Sequence, residues 1–180
     1  MTDCIQSQFN YKIWRHILNS AGIERFTDYQ MDMVRLGIGL YGVSASGIKG
    51  LRNVSTLRTT ILQIQHVPAG DSIGYSRRTY VDRDSRIAII PIGYADGLDR
   101  HFSNGGGEVV INGHRCPIIG NICMDACMID VTDTDAHEGD SVIIFGEELP
   151  VSELSDKLKT IPYEILTSIS PRVKRVYYRE

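Results

Sequence analysis

Two tyrosines stand in glycine frames within the stretch Gly70 to Gly97, GDSIGYSRRTYVDRDSRIAIIPIGYADG: Gly74-Tyr75 and Gly93-Tyr94. The apolar run Ile87 to Ile92 stops at Gly-Tyr-Ala-Asp-Gly, which puts Tyr94 at a strand end beside a tight turn. Strand ends and their loops are where a rigid scaffold offers reactive groups, so both phenols are candidates. The plain alternative for either one alone is a core aromatic whose hydroxyl has found a partner. A second chemical feature lies upstream in MVRLGIGLYG, residues 33–42, where Gly37, Gly39 and Gly42 open a backbone-rich loop. Backbone N–H groups at glycine-rich turns or helix N-termini suit a phosphate dianion. A lone Gly-x-Gly is more often an ordinary loop after a strand.

These groups need elements to hold them. Tyr11 to Leu18 reads as a short strand closed by turn chemistry at Asn19-Ser20-Ala21-Gly22, a short helix falls within Ile23 to Met33, and Val34 to Leu36 reads as a second strand. Two strand-to-loop units in series, each ending in Ser or Gly, fit the last β/α units of a barrel, where a phosphate site commonly lies on the final two loops. A complete barrel takes ~250 residues, so the expectation is a fragment, or a chain whose natural N-terminal part is missing. From Leu51 the pattern turns to many short strands, the mark of a barrel or sandwich. Strands are expected over Thr56 to Val67, Arg86 to Ile92, Cys127 to Val131 and Ser141 to Phe145. Asn112-Gly113 is the preferred turn of a hairpin between Val109 to Ile111 and His114 to Ile119. Ser103 to Gly107 reads as a flexible tip, Val151 to Lys159 and Pro162 to Ser168 as helices, and Val173 to Tyr178 as a closing strand.

Composition bounds the function. The chain has 180 residues, 42% apolar and 23% charged, which suits a soluble globular protein. A net charge of −3 without a Lys/Arg cluster argues against nucleic-acid and anionic-membrane partners. No apolar run reaches transmembrane length and the N-terminus lacks the features of a signal peptide, so a cytoplasmic location is expected. Cys123 and Cys127 lie in an alternating run and are expected to be buried on one strand face, while Cys4 and Cys116 are singletons. No CxxC pair marks a metal site, and disulfides are not expected in a reducing compartment.

Six segments in order, HxxNSAG (16–22), MVRLGIGLYG (33–42), GDSIGYSRRTY (70–80), IPIGYADG (90–97), GNICMDACMID (120–130) and SPRVKR (170–175), resemble the C-terminal part of alanine racemase, a pyridoxal-phosphate (PLP) enzyme. The resemblance implies a mainly β fold: residues 1–45 as the terminal β/α units of an incomplete PLP-binding TIM-like barrel, and residues 46–180 as a C-terminal β-barrel-like domain. It implies interconversion of L- and D-alanine by two-base proton transfer at Cα, because one fixed base does not easily serve both faces of the carbon.

By the same resemblance, Ser20, Gly37 and Ile38 bind the PLP phosphate with one hydroxyl and two backbone amides. Arg35 faces the pyridine nitrogen, where a permanent cation disfavours protonation and weakens the ring as an electron sink. Tyr75 is the second catalytic base. A free phenol loses its proton only near pH ~10, so that role calls for a nearby cation, and Arg35 is the candidate. Tyr94 belongs to the substrate corridor. Met124 and Asp125 lie beside the substrate carboxylate, with the Met124 N–H as donor. The family's tyrosine reaches the partner subunit's cofactor, which implies a homodimer with shared sites. The family's usual purpose is D-alanine for peptidoglycan.

Three departures follow. The PLP lysine belongs to the upstream barrel, since Lys12 and Lys49 lie outside any matching motif; the chain alone is therefore expected to be inactive. Ser76 stands where many relatives have glycine after the tyrosine, and is expected to be tolerated. Pro171 stands where a tyrosine often narrows the entrance, which leaves serine or a broader substrate range open. The rival class is a non-catalytic β-module that binds a partner or ligand.

Overall fold

The computed structural model describes residues 2–48 and 50–178, and they gather into two compact units, Met1–Val54 and Ser55–Glu180.

The first unit is built on side-chain caps more than on packing. Helix α1 spans Thr2–Gln6 and α2 spans Ser20–Arg25. Asn19 is the N-cap of α2: its side-chain oxygen accepts the Gly22 N–H at 3.0 Å, which satisfies one orphan donor of the first turn. Asn19 to Gly22, expected to be a turn, is thus the cap and opening turn of a helix. The strands expected over 11–18 and 34–36 are not formed. Among the described residues two backbone–backbone bonds join these segments, Asp32 N–H to the Arg15 carbonyl and Arg35 N–H to the Leu18 carbonyl, at 3.2 and 2.9 Å. Side chains take the ladder's place: the Asp32 carboxylate accepts the Arg15 N–H at 3.1 Å, and Gln6 Oε1 accepts the Ile13 N–H at 2.7 Å. The glycine loop coils into a 3₁₀ turn, Ile38–Tyr41. Among the described residues of this unit only Leu18, Ser20 and Ile38 are buried, while Trp14, Ile17 and Tyr29 lie open.

The second unit is mainly β. Its strands are β1 (Leu57–Thr60), β2 (Gln63–Val67), β3 (Ser72–Ile73), β4 (Thr79–Tyr80), β5 (Ser85–Ile90), β6 (Glu108–Ile111), β7 (His114–Ile119), β8 (Cys127–Asp130) and β9 (Ser141–Phe145). Seven form one antiparallel sheet in the order β1-β9-β6-β7-β8-β5-β2. The expected single strand from Thr56 to Val67 is two. Its first half pairs with β9 and its second half with β5, at opposite edges of the sheet. Ile61 and Leu62 make the change, with the Ile61 N–H donating to Asp140 and the Leu62 N–H to Ile89. One continuous segment therefore supplies both edges, and the sheet curls into a barrel-like form. The inward positions are β-branched: Ile90, Ile111, Ile118, Ile129, Val109 and Val142 are almost fully buried. Each such isoleucine contributes about 1.5–3 kcal/mol of hydrophobic stabilisation.

The β6–β7 hairpin forms as its Asn-Gly turn requires, with φ of 50° at Asn112 and 77° at Gly113. The expected flexible tip is hydrogen-bonded throughout: the Asn104, Gly105 and Gly107 amides donate to Gly120, Ile118 and Phe102. Helices α3 (Val151–Leu158) and α4 (Pro162–Ser168) follow the sheet, and α3 turns Leu154 toward Ile118, Ile144 and Phe102. The closing strand expected over 173–178 is absent. The Arg175 guanidinium bonds the carbonyls of Ile169, Ser170 and Val173 and curls the segment on itself. Only Cys127 of the expected cysteine pair lies on a strand. Cys123 instead closes a turn, its N–H donating to the Ala126 carbonyl at 2.9 Å. Burial pushes the Cys127 thiol up to about 12. No helix among the described residues is long and apolar enough to cross a membrane.

Candidate active site

In the first unit, Ser20 opens α2 and is buried, 2% exposed. Its Oγ accepts the Gly37 N–H at 2.9 Å and the Gly39 N–H at 3.4 Å. Ser20, Gly37 and Ile38 are thus brought together. Two amides converge on the hydroxyl oxygen, which leaves the O–H proton to be donated elsewhere. Donors without a carboxylate among them make a set suited to phosphate oxygens. A Cβ on Gly39 would lie 2.9 Å from Leu36 Cδ1, the tip of an exposed side chain that can give way. Arg35 is exposed on the adjoining segment, and its Nη2 donates to the Ile17 carbonyl at 2.9 Å. Lys12 pairs with Asp32 at 3.0 Å, and Lys49 lies outside the described residues. Arg15 and Lys12 together hold the Asp32 carboxyl well below the usual carboxylate range.

In the second unit, three loops meet near one end of the β5–β8 pair. Tyr75 rides on the short β3–β4 hairpin, which the sequence pattern did not reveal because each strand has only two residues. Ile73 and Val81 root this hairpin in a cluster with Ile87, Val67, Ile119 and Met128. Tyr75 itself is 73% exposed and is not a core aromatic. Its loop is sharply bent, with Gly74, Ser76 and Arg77 at φ of 72°, 68° and 47°. Gly74 faces the Met128 side chain and the Asn121 amide.

Tyr94 is half-exposed in the turn that follows β5. Its N–H donates to the Cys123 carbonyl at 3.1 Å, and the Ala95 N–H donates to the Met124 carbonyl at 2.9 Å. A Cβ on Gly93 would lie 2.3 Å from the Cys123 oxygen, so the two turns are in backbone contact. Tyr94, Met124 and Asp125 are thus brought together. The Met124 carbonyl is occupied, while its N–H makes no hydrogen bond among the described residues. Met124 and Asp125 are both exposed.

Three residues that the motif reading passed over organise these loops. Asp96, 7% exposed, takes the Gly93 N–H on one carboxylate oxygen at 2.9 Å and Arg172 Nε on the other at 2.6 Å. The hydrogen bond from Arg172 is the main reason that the Asp96 carboxyl lies below its ordinary range although burial pushes it up. A carboxylate inside Gly-Tyr-Ala-Asp-Gly and the first arginine of SPRVKR were the available signals. Asn104 is the third such residue: it accepts from Thr79, next to the Tyr75 loop, and donates to Asn121 at 3.2 Å.

Residues 54–177 match the family model for the alanine racemase C-terminal domain, and residues 1–45 match that for the N-terminal domain. Alanine racemase 2 of Caldanaerobacter subterraneus subsp. tengcongensis is 44% identical over 172 residues, covering 91% of this chain and 44% of that protein. The alanine racemase of Clostridium novyi is 40% identical over 176 residues, covering 92% of this chain and 45% of that protein. The chain thus spans about half the length of the curated relatives it matches. The crystal structure of alanine racemase from Bartonella henselae with covalently bound pyridoxal phosphate superposes with a TM-score of 0.88 at 39% identity, over 98% of this chain and 50% of that one. Alanine racemase of Clostridium difficile 630 gives 0.90 at 37% identity, over 99% of this chain and 48% of that one. With both family models matched in order, and fold and sequence agreeing over nearly its whole length, the chain belongs to the alanine racemase family.

Proposed function

We propose that this chain is the C-terminal part of a PLP-dependent racemase that interconverts L- and D-alanine by two-base proton transfer at Cα. Residues 1–45 are the terminal units of the cofactor barrel and residues 46–180 the C-terminal β domain. PLP, when bound, supplies the electron sink that makes the Cα proton removable. Ser20 Oγ and the Gly37 and Ile38 amides would hold its phosphate, and the donor character of that group fits the role. Arg35 would supply a permanent cation toward the pyridine nitrogen, which would disfavour protonation there and favour simple return of the proton to Cα. Tyr75 Oη carries the proton on one face of Cα, and a lysine of the upstream barrel serves the other.

The observation that carries this reading is the Met124 turn. Its carbonyl is fixed by the Ala95 amide, while among the described residues its N–H, beside Tyr94, makes no hydrogen bond. An N–H donor in a turn whose carbonyl is already fixed suits a carboxylate, which accepts. Tyr94 lines the approach, and Asp125 stands beside the same carboxylate. The enzyme works as a homodimer in which Tyr75 serves the partner's cofactor, in the cytoplasm, supplying D-alanine for peptidoglycan. Pro171, exposed and without a hydroxyl, favours a second reading on substrate range, in which serine or a broader set is accepted.

The test supplies the upstream barrel, joined genetically or as a separate polypeptide. Visible absorbance of bound PLP and formation of D-alanine are expected, with the 180-residue chain alone inactive. Failure of both overturns the racemase reading in favour of a non-catalytic β-module. Competition between alanine and serine in the same assay decides the substrate range.

A further inference from the structure

The turn that carries Tyr94 is held from two sides. On one side its Tyr94 and Ala95 amides bond the Cys123–Ala126 turn, and Gly93 lies against the Cys123 carbonyl. On the other side the chain after α4 closes over it. The Ser170 N–H donates to the Asp96 carbonyl at 3.0 Å, and Ser168 Oγ donates to the Gly97 carbonyl at 3.3 Å. A Cβ on Gly97 would lie 2.6 Å from the Ser168 oxygen. The charged link across this second side is Arg172 Nε to Asp96 Oδ1 at 2.6 Å. Arg175 in turn fixes the segment that bears Arg172, through the Ile169 and Ser170 carbonyls at 3.0 and 3.3 Å.

We infer that Arg172, acting through Asp96, is a positioning residue that locks the Gly93–Gly97 turn against the Met124 turn and so fixes the substrate-carboxylate site. The inference rests on the reading of Met124 and Tyr94 as substrate-facing. Its geometry is that of a strong interaction: a short, charge-assisted bond to a carboxylate whose own side chain is 11% exposed. Asp96 cannot turn away, because its other oxygen holds the Gly93 N–H. A second acid is involved. Asp125 lies close enough to add to the stabilisation of the Arg172 cation, after the larger effect of Asp96. Arg172 thus offsets two carboxylates beside the place where an anionic substrate group would bind. Without it both carboxylates stand uncompensated beside that group, and the turn loses the charged link of its outer anchor. Both effects act on binding, while Tyr75, on a separate hairpin, keeps its place.

Two measurements test this. In the 180-residue chain, Arg172→Gln should speed amide hydrogen exchange at Tyr94 and Ala95 by about tenfold or more and leave the β5–β8 ladder unchanged. Unchanged exchange at those two amides, or an equal rise across the ladder, overturns the inference. In the enzyme completed by its upstream barrel, Arg172→Gln should raise KM for alanine by about tenfold with kcat within about threefold, and Arg172→Lys, which keeps the cation, should recover most of the loss. Equal falls in kcat and kcat/KM, or a lysine variant no better than glutamine, overturn it. If the unsubstituted completed enzyme forms no D-alanine, the racemase reading fails on its own, and the exchange result alone decides whether Arg172 locks the turn.

Discussion

Ser20 Oγ accepts the Gly37 amide at 2.9 Å across seventeen residues of chain, and this bond joins the start of α2 to the glycine loop. The Gly39 amide reaches the same oxygen. Ser20→Ala leaves both part-buried amides without that acceptor, which costs about 1–3 kcal/mol. Urea unfolding should show this loss, and PLP affinity of the completed enzyme should fall about tenfold as the hydroxyl donor disappears. Unchanged affinity would remove Ser20 from the phosphate site.

Tyr75 separates stability from activity. Its side chain is largely in water, so Tyr75→Phe should change unfolding free energy by no more than about 0.5 kcal/mol. Loss of a positioned acid–base group should lower racemisation by about 10²–10⁴ in the completed enzyme while PLP stays bound. Activity near that of the unsubstituted enzyme would sink the assignment of Tyr75 as a base.

Ser76 sits at φ 68°, in the left-handed region where a Cβ costs about 1–2 kcal/mol. The serine that stands here in place of glycine thus carries a backbone cost that glycine would not. Ser76→Gly relieves the strain but adds freedom to the unfolded chain. A net gain of about 0.5–1 kcal/mol should appear in thermal or urea melts. Ser76→Val, β-branched at the same backbone angle, should lose stability instead.

Acid should loosen the Arg172–Asp96 link in a defined window. The folded Asp96 carboxyl is held below its unfolded value of ~3.9, so the unfolded chain binds this proton more readily. The contribution is therefore complete above about pH 4 and is lost as pH falls through the lower, folded value. Glu153, paired with Arg115, and Asp140, which accepts the His137 amide, are depressed as well and titrate in the same region. The stability gap between the unsubstituted chain and Asp96→Asn isolates Asp96. That gap should be widest at neutral pH and narrow below about pH 4 in urea melts. A gap that widens on acidification would contradict the sign.

Local chemistry was readable wherever a residue acts on its own neighbours. The Asn112-Gly113 turn fixed its hairpin, β9 ran over the expected Ser141–Phe145, and Pro162 opened α4 at its first turn. Long-range partners were not readable. Alternation from Thr56 to Val67 reports extended backbone but cannot say that its two halves pair with β9 and β5. Extended-looking runs at 11–18 and 173–178 failed for a related reason, since side chains of Asp32, Gln6 and Arg175 bond backbone groups that a ladder would use. In the candidate site, the motifs picked out Tyr75, Tyr94 and Met124. The residues that hold them, Asp96, Arg172 and Asn104, act across as many as seventy-six positions, and spacing alone does not reveal such pairs.

The segment that supplies both margins of the curled sheet also sets a schedule for synthesis. As the polypeptide leaves the ribosome, Gln63–Val67 can meet Ser85–Ile90 soon after both emerge. Leu57–Thr60 must wait for Ser141–Phe145 before its own ladder exists. Until then the nascent domain carries one half-paired extended stretch, open to wrong partners. Closure consequently waits on the late-emerging strand, and a product cut short before Phe145 would leave the first half of that stretch without its mate.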